Sequence, residues 1–151
     1  MNLKSELINI VLVETSHPGN IGSVARAMKT MGLSKLSLIN PRKFPSGEAN
    51  ALSGNATDIL ENAQVYKTIE DAIKTSTFVY ATSSRNRTIQ WPTVNVEEGA
   101  ERILNQTTAE KEISILFGRE DRGLTNEELQ LANTHIEIPA NPDYPVLNLA
   151  M

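Results

Sequence analysis

Residues 8–13 (INIVLV) form a strand-length apolar run that stops at Thr15-Ser16-His17-Pro18-Gly19, and Ile21, Val24, Ala25, Met28 and Met31 follow at helical spacing. Strand, glycine-containing loop, helix is one βα unit, and its punctuation constrains the fold more than any other feature because strands and helices go on alternating. Gly32 closes the first helix, and 35–40 (KLSLIN) gives a second strand stopped by Pro41. Helical segments follow near 48–53 and 56–62. Residues 65–68 read as a short strand, 69–74 as a helix capped by Thr68, 78–81 (FVYA) as a buried strand and 96–106 as a helix. The run 113–117 is a further buried strand, Thr125 opens a helix through a capping box with Glu128, and 135–138 (HIEI) is the last strand, with Ile136 and Ile138 inward and His135 exposed. This alternation predicts an α/β fold, a mainly parallel sheet flanked by helices, in one domain spanning 1–151.

A chain of 151 residues, 40% hydrophobic, buries a core large enough for one such domain. The absence of cysteine excludes disulfides, thiol catalysis and cysteine-ligated zinc, and with only His17 and His135, far apart in sequence, no metal is expected. No apolar run is long enough to span a bilayer, and the opening MNLKSELINIVLVE lacks a signal peptide's charged start and cleavage site, which predicts a cytoplasmic protein. A net charge of -4 argues against coating nucleic acid through overall charge. Arg42, Lys43, Arg85, Arg87, Arg119 and Arg122 nevertheless fall in loops that follow strands, and Arg26 sits early in the first helix. They would form either a phosphate-binding patch on one face or simply charged loops.

Residues 113–124 (ISILFGREDRGL) place Gly118, Arg119 and Glu120 just beyond a strand's carboxyl end, where open α/β sheets bind ligands. The first turn reads H-P-G-N-I-G-S rather than G-x-G-x-x-G. No G-K-[ST] or G-x-S-x-G occurs, which disfavours ordinary dinucleotide, ATP and serine-hydrolase sites. His17 reads as a turn residue rather than a base. Asn20 is placed to cap the first helix and Gly22 to permit close approach, with Arg26 one to two turns in. Residues 146–150 begin a final helix of one turn, which needs packing or a continuation to be stable.

N-I-G-S-V-A-R at 20–26, L-F-G-R-E-x-x-G-L at 116–124 and I-P-A-N-P-x-Y-x-x-L-N-L-A at 138–150, in that order, resemble the three signature motifs of the SpoU branch of the SPOUT RNA methyltransferases. The longer stretch 12–33, with A-T-S-S-R-N-R at 81–87, resembles the subgroup that methylates the ribose 2′-hydroxyl at position 32 of the tRNA anticodon loop. The resemblance implies a C-terminal trefoil knot and a homodimer with the site near the subunit interface. It also implies S-adenosylmethionine held by Thr82, Ser83 and Ser84, by Gly118, and by Ile138, Pro145, Val146 and Leu147. Arg26, Glu120 and Asn148 would lie closest to the reaction, with Asn20 supporting, and Arg26, Arg85, Arg87, Arg119 and Arg122 would meet RNA or, for Arg119 and Arg122, simply face water. A guanidinium loses its proton only above a pKa of about 12, so Arg26 reads as a clamp on the target phosphate rather than a general base. Glu120 would orient an arginine or the ribose. Pro145 and Val146 stand where relatives usually carry serine, which leaves backbone contacts there. The alternatives are a 2′-O-methyltransferase for another tRNA or ribosomal RNA site and a non-catalytic RNA-binding or dimerisation module.

Overall fold

The structure is a computed structural model and describes residues 4–83, 90–139 and 149–151. Ser84, Arg85, Arg87, Pro145, Val146, Leu147 and Asn148 lie outside the described residues. A single 3-10 turn (Ser5–Leu7) leads into β1 (Ile8–Val13), α1 (Pro18–Thr30), β2 (Lys35–Ile39), α2 (Gly47–Leu52), α3 (Thr57–Asn62), β3 (Gln64–Tyr66) and α4 (Ile69–Ala72). Then follow β4 (Phe78–Ser83), β5 (Thr93–Val94), α5 (Val96–Thr108), β6 (Ile113–Phe117), α6 (Asn126–Leu129) and β7 (Thr134–Glu137). The strands form one sheet in the order β3-β2-β1-β6-β4-β7-β5, and every pairing between neighbours is parallel.

Alternate residues of each strand go to opposite faces, and here both faces are covered, which is why the runs are continuously apolar. On one side Ile10, Leu12, Leu36, Leu38, Tyr80 and Ile113 pack against Ile21, Val24 and Met28 of α1 and Ile103 of α5. On the other, Val11, Val13, Ile39, Val79, Ala81 and Leu116 meet Ile69 and Ala72 of α4 and Leu124, Leu129 and Ala132 around α6. Each such fully buried aliphatic side chain contributes about 1.5–3 kcal/mol of transfer free energy.

Asn9, the one polar residue inside β1, is almost completely buried and ties three strands together. Its Nδ2 donates to Ser114 Oγ of β6 (3.1 Å) and to Ala72 O (3.2 Å), while Ser37 Oγ of β2 donates to its Oδ1 (2.7 Å). A buried amide is tolerated because both its donor and its acceptor ends are used.

Three sequence expectations need correction. Asn20 does not cap α1: the N-cap is His17, without a side-chain cap bond, and Pro18 takes the first helical position, where its missing N–H costs nothing. Arg26 lies in the second half of α1 rather than early in it. His135 is buried, not exposed. The reason is that the face of β7 on which His135 stands is covered by Trp91 and by α6. His135 stacks on Trp91 with ring centroids 5.9 Å apart, and its Nε2 donates to Leu129 O at 2.8 Å. The two-residue β5, which pairs Thr93 with His135 and Val94 with Ile136, was not predicted because two residues carry no periodicity.

Candidate active site

Because all strands run the same way, the carboxyl ends of β1, β4, β6 and β7 lie side by side at one edge of the sheet. The β1–α1 loop and the β6–α6 loop meet there, and Glu120 joins them. One Glu120 oxygen accepts from Ser16 N (3.0 Å) and the other from His17 N (3.0 Å) and Asn20 Nδ2 (2.9 Å), with Ser16 Oγ a further donor at 3.3 Å. The carboxylate thus sits at the entrance of α1, where the helix dipole favours negative charge. Burial pushes the Glu120 pKa up, but the hydrogen bonds from Ser16, Asn20 and His17 outweigh it and hold the group below the usual carboxylate value. The bonds replace a local capping box with one assembled from residues a hundred positions apart.

Arg119, immediately before it, is turned inward. Its Nη1 and Nη2 donate to the two oxygens of Glu128 (2.8 and 2.9 Å), Nη2 also donates to Glu14 (2.7 Å), and its side chain is only 11% exposed. The guanidinium expected to meet RNA or water is therefore committed within the chain. Its charge is reinforced by the bidentate Glu128 pair, and the same pair lowers the pKa of Glu128. Glu128 also accepts from Thr125 N (2.8 Å), completing the predicted capping box of α6.

Gly118 is required by the chain's own path: a Cβ there would lie 2.2 Å from the Gly123 carbonyl carbon and 2.3 Å from Leu124 N. The loop closes tightly over it through paired backbone hydrogen bonds between Arg119 and Gly123. Gly22 has a comparable task, since a Cβ would stand 2.1 Å from Ala49 O, where α1 crosses α2.

Thr82, Ser83 and Ile138 come together at the tips of β4 and β7. Thr82 Oγ1 donates to Leu116 O (3.0 Å), Ile138 N donates to Ser83 O (2.7 Å), and Ile138 packs on the core at the β4–β7 tips. Arg26 stands elsewhere. Asn20 faces Glu120, whereas Arg26, six residues and about 9 Å further along the helix, lines an open cavity of about 510 Å³ with Lys29, Ser53, Gly54 and Asn55. Lys29 is tied to Asp58 (3.0 Å) and Asn55 O, while Arg26 has no ion pair among the described residues. Of the loop cations, Arg42 and Lys43 are exposed, and Arg122 pairs with the equally exposed Asp121 (3.6 Å). Arg42 N donates to Thr15 O (3.3 Å), which sets it beside the β1–α1 loop. Ser16 and Glu14 were not anticipated, and Glu128 was anticipated only as the capping-box partner of Thr125; no sequence signal marks their bonds to Glu120 and Arg119, which lie 9 to 105 positions away.

An all-parallel α/β sheet with a polar loop cluster beyond its carboxyl edge, built from one loop motif after β1 and another after β6, defines the class. Residues 7–151 match the SpoU rRNA Methylase family, and the chain belongs to it. It is 50% identical over 143 residues to the tRNA (cytidine/uridine/adenosine-2'-O-)-methyltransferase TrmJ of Pseudomonas aeruginosa, covering 95% of this chain and 56% of that protein. Among solved structures it superposes on TrmJ from Z. mobilis with a TM-score of 0.89 at 38% identity, covering 94% of this chain and 62% of that one. A probable methylase family protein from Haemophilus influenzae gives 0.88 at 47% identity, over 95% and 60%. The chain thus spans less than two thirds of the length of these relatives.

Proposed function

We propose that the chain is the catalytic domain of an S-adenosylmethionine-dependent tRNA ribose 2′-O-methyltransferase acting at position 32 of the anticodon loop, in the cytoplasm. The observation that carries this reading is the 50% identity to a tRNA 2′-O-methyltransferase across 95% of the chain, with Asn20 and Glu120 of two signature motifs bonded at 2.9 Å. When bound, S-adenosylmethionine supplies the methyl group. Ser83 and Ile138, half-buried and adjacent at the tips of β4 and β7, suit a nucleoside edge, one offering polar atoms and the other an apolar wall. Pro145, Val146 and Leu147 complete the set by family resemblance. Gly118, whose near side is filled by Gly123 and Leu124, serves by keeping the loop closed.

Glu120 holds the entrance of α1, and Asn148 completes the reacting cleft by resemblance. Arg26 lines the cavity beside Ser53, Gly54 and Asn55 and not the Glu120 loop cluster, which supports a homodimer in which Arg26 reaches the partner's site and clamps the target phosphate. The sheet order supports the trefoil knot: β7, which follows β6 in the chain, is inserted between β4 and β5, two strands that precede β6.

The test is to incubate the protein with tRNA, ribosomal RNA and labelled S-adenosylmethionine and map the methylated nucleotides. Ribose methylation of tRNA position 32 is the expected result. Label in ribosomal RNA or at another tRNA position would move the substrate. A dimer that binds neither cofactor nor tRNA would remove the enzymatic reading.

A further inference from the structure

Arg119 and Glu120 are consecutive, oppositely charged, and grip the β1–α1 loop at two places. Arg119 takes Glu14, at the end of β1, and Glu120 takes Ser16, His17 and Asn20, at the start of α1. Glu14 has φ +51°, a left-handed conformation that bends the chain sharply off the strand, and it is the acidic group that meets Arg119 across 105 residues. The second arm of Arg119 is the bidentate pair with Glu128, whose carboxylate is itself fixed by Thr125 N. A third contact, Nη1 to Gly123 O at 3.3 Å, stitches the far end of the same loop. The guanidinium therefore fixes the loop's return point, the capped start of α6 and the bend after β1, all around the backbone that presents Glu120.

We infer that Arg119 is a positioning residue, which sets the place of the Glu120 carboxylate and of the α1 entrance by locking the 118–124 loop to Glu14 and Glu128. Its family-motif position then reflects loop geometry rather than contact with RNA. The inference rests on the methyltransferase reading for its kinetic consequence but not for its structural one. Lysine supplies one charge and no planar fork, so Arg119→Lys keeps an ion pair with either carboxylate and loses the simultaneous hold on both.

The experiment compares wild type, Arg119→Lys, Glu128→Gln and the double variant by steady-state methylation of a tRNA transcript with cytidine at position 32. Amide hydrogen exchange is followed on the same proteins. The kcat is expected to fall about tenfold or more in each single variant, with KM for cofactor and tRNA held within about twofold and no further loss in the double variant. Exchange at the Ser16 and His17 amides is expected to speed up while β1 and β2 stay protected. Unchanged kcat, a loss confined to the tRNA KM, or unchanged Ser16 and His17 protection would each overturn the inference, as would faster exchange spread over the whole sheet. A wild type without methylation would instead refute the proposed function, and the exchange measurement would still decide the role of Arg119.

Discussion

A single carboxylate organises the polar edge of the sheet, and its chemistry sets measurable consequences. The pKa of Glu120 lies below its ordinary value of 4.5 in the folded chain, so its hydrogen bonds stabilise the fold above that value and the contribution is lost as pH falls beneath it. Glu120→Gln is expected to melt lower than wild type at neutral pH, with the gap closing in acid. Thermal denaturation across pH reads this directly. Asn20→Asp places a second carboxylate where the amide now lies 2.9 Å from Glu120, so one of the two must take up a proton or repel its neighbour. That variant is expected to be destabilised at neutral pH and to gain stability itself as pH falls, whereas the wild-type contribution of Glu120 is lost. Arg26→Lys keeps the charge but not the fork. It is expected to lose most methyl transfer while binding S-adenosylmethionine normally by calorimetry, and near-normal turnover would end the clamp assignment.

Between elements, the contacts that matter are backbone approaches and a buried amide. Gly22→Ala drives a methyl to within 2.1 Å of Ala49 O, so α1 must lift from α2 at a cost of about 1–3 kcal/mol, read as a lowered denaturation midpoint. Asn9→Ala leaves the Ser37 hydroxyl without its acceptor and the Ser114 hydroxyl with Ser76 alone, again about 1–3 kcal/mol by denaturant unfolding. Most elements were legible in the sequence because their signals are local: Gly32 after the end of α1, Thr125 with Glu128 at a capping box. What failed was information that no single segment holds. β5 is a strand only because β7 lies beside it, and His135 is buried because Trp91 and Leu129, from other segments, cover its face of the sheet.

For the whole molecule, Arg26 and Glu120 belong to different surroundings within one chain, and the proposed homodimer would bring them into one site. Sedimentation is expected to show a dimer, and mixing Arg26→Lys with Glu120→Gln chains is expected to restore methylation that neither shows alone, because one cleft of the mixed dimer then holds both native groups. By itself the sequence determined the alternation of strand and helix, the parallel sense of the sheet and the segments that carry the polar chemistry, since these follow from local periodicity, turn residues and motif resemblance. Only the tertiary structure decided how Arg119 and Glu120 divide their work. Both are charged residues on one loop, and nothing within that loop tells which turns inward. Their assignments depend on Glu14, Ser16, Asn20 and Glu128, and the sheet order β1-β6-β4-β7 brings the loops carrying these residues to one edge.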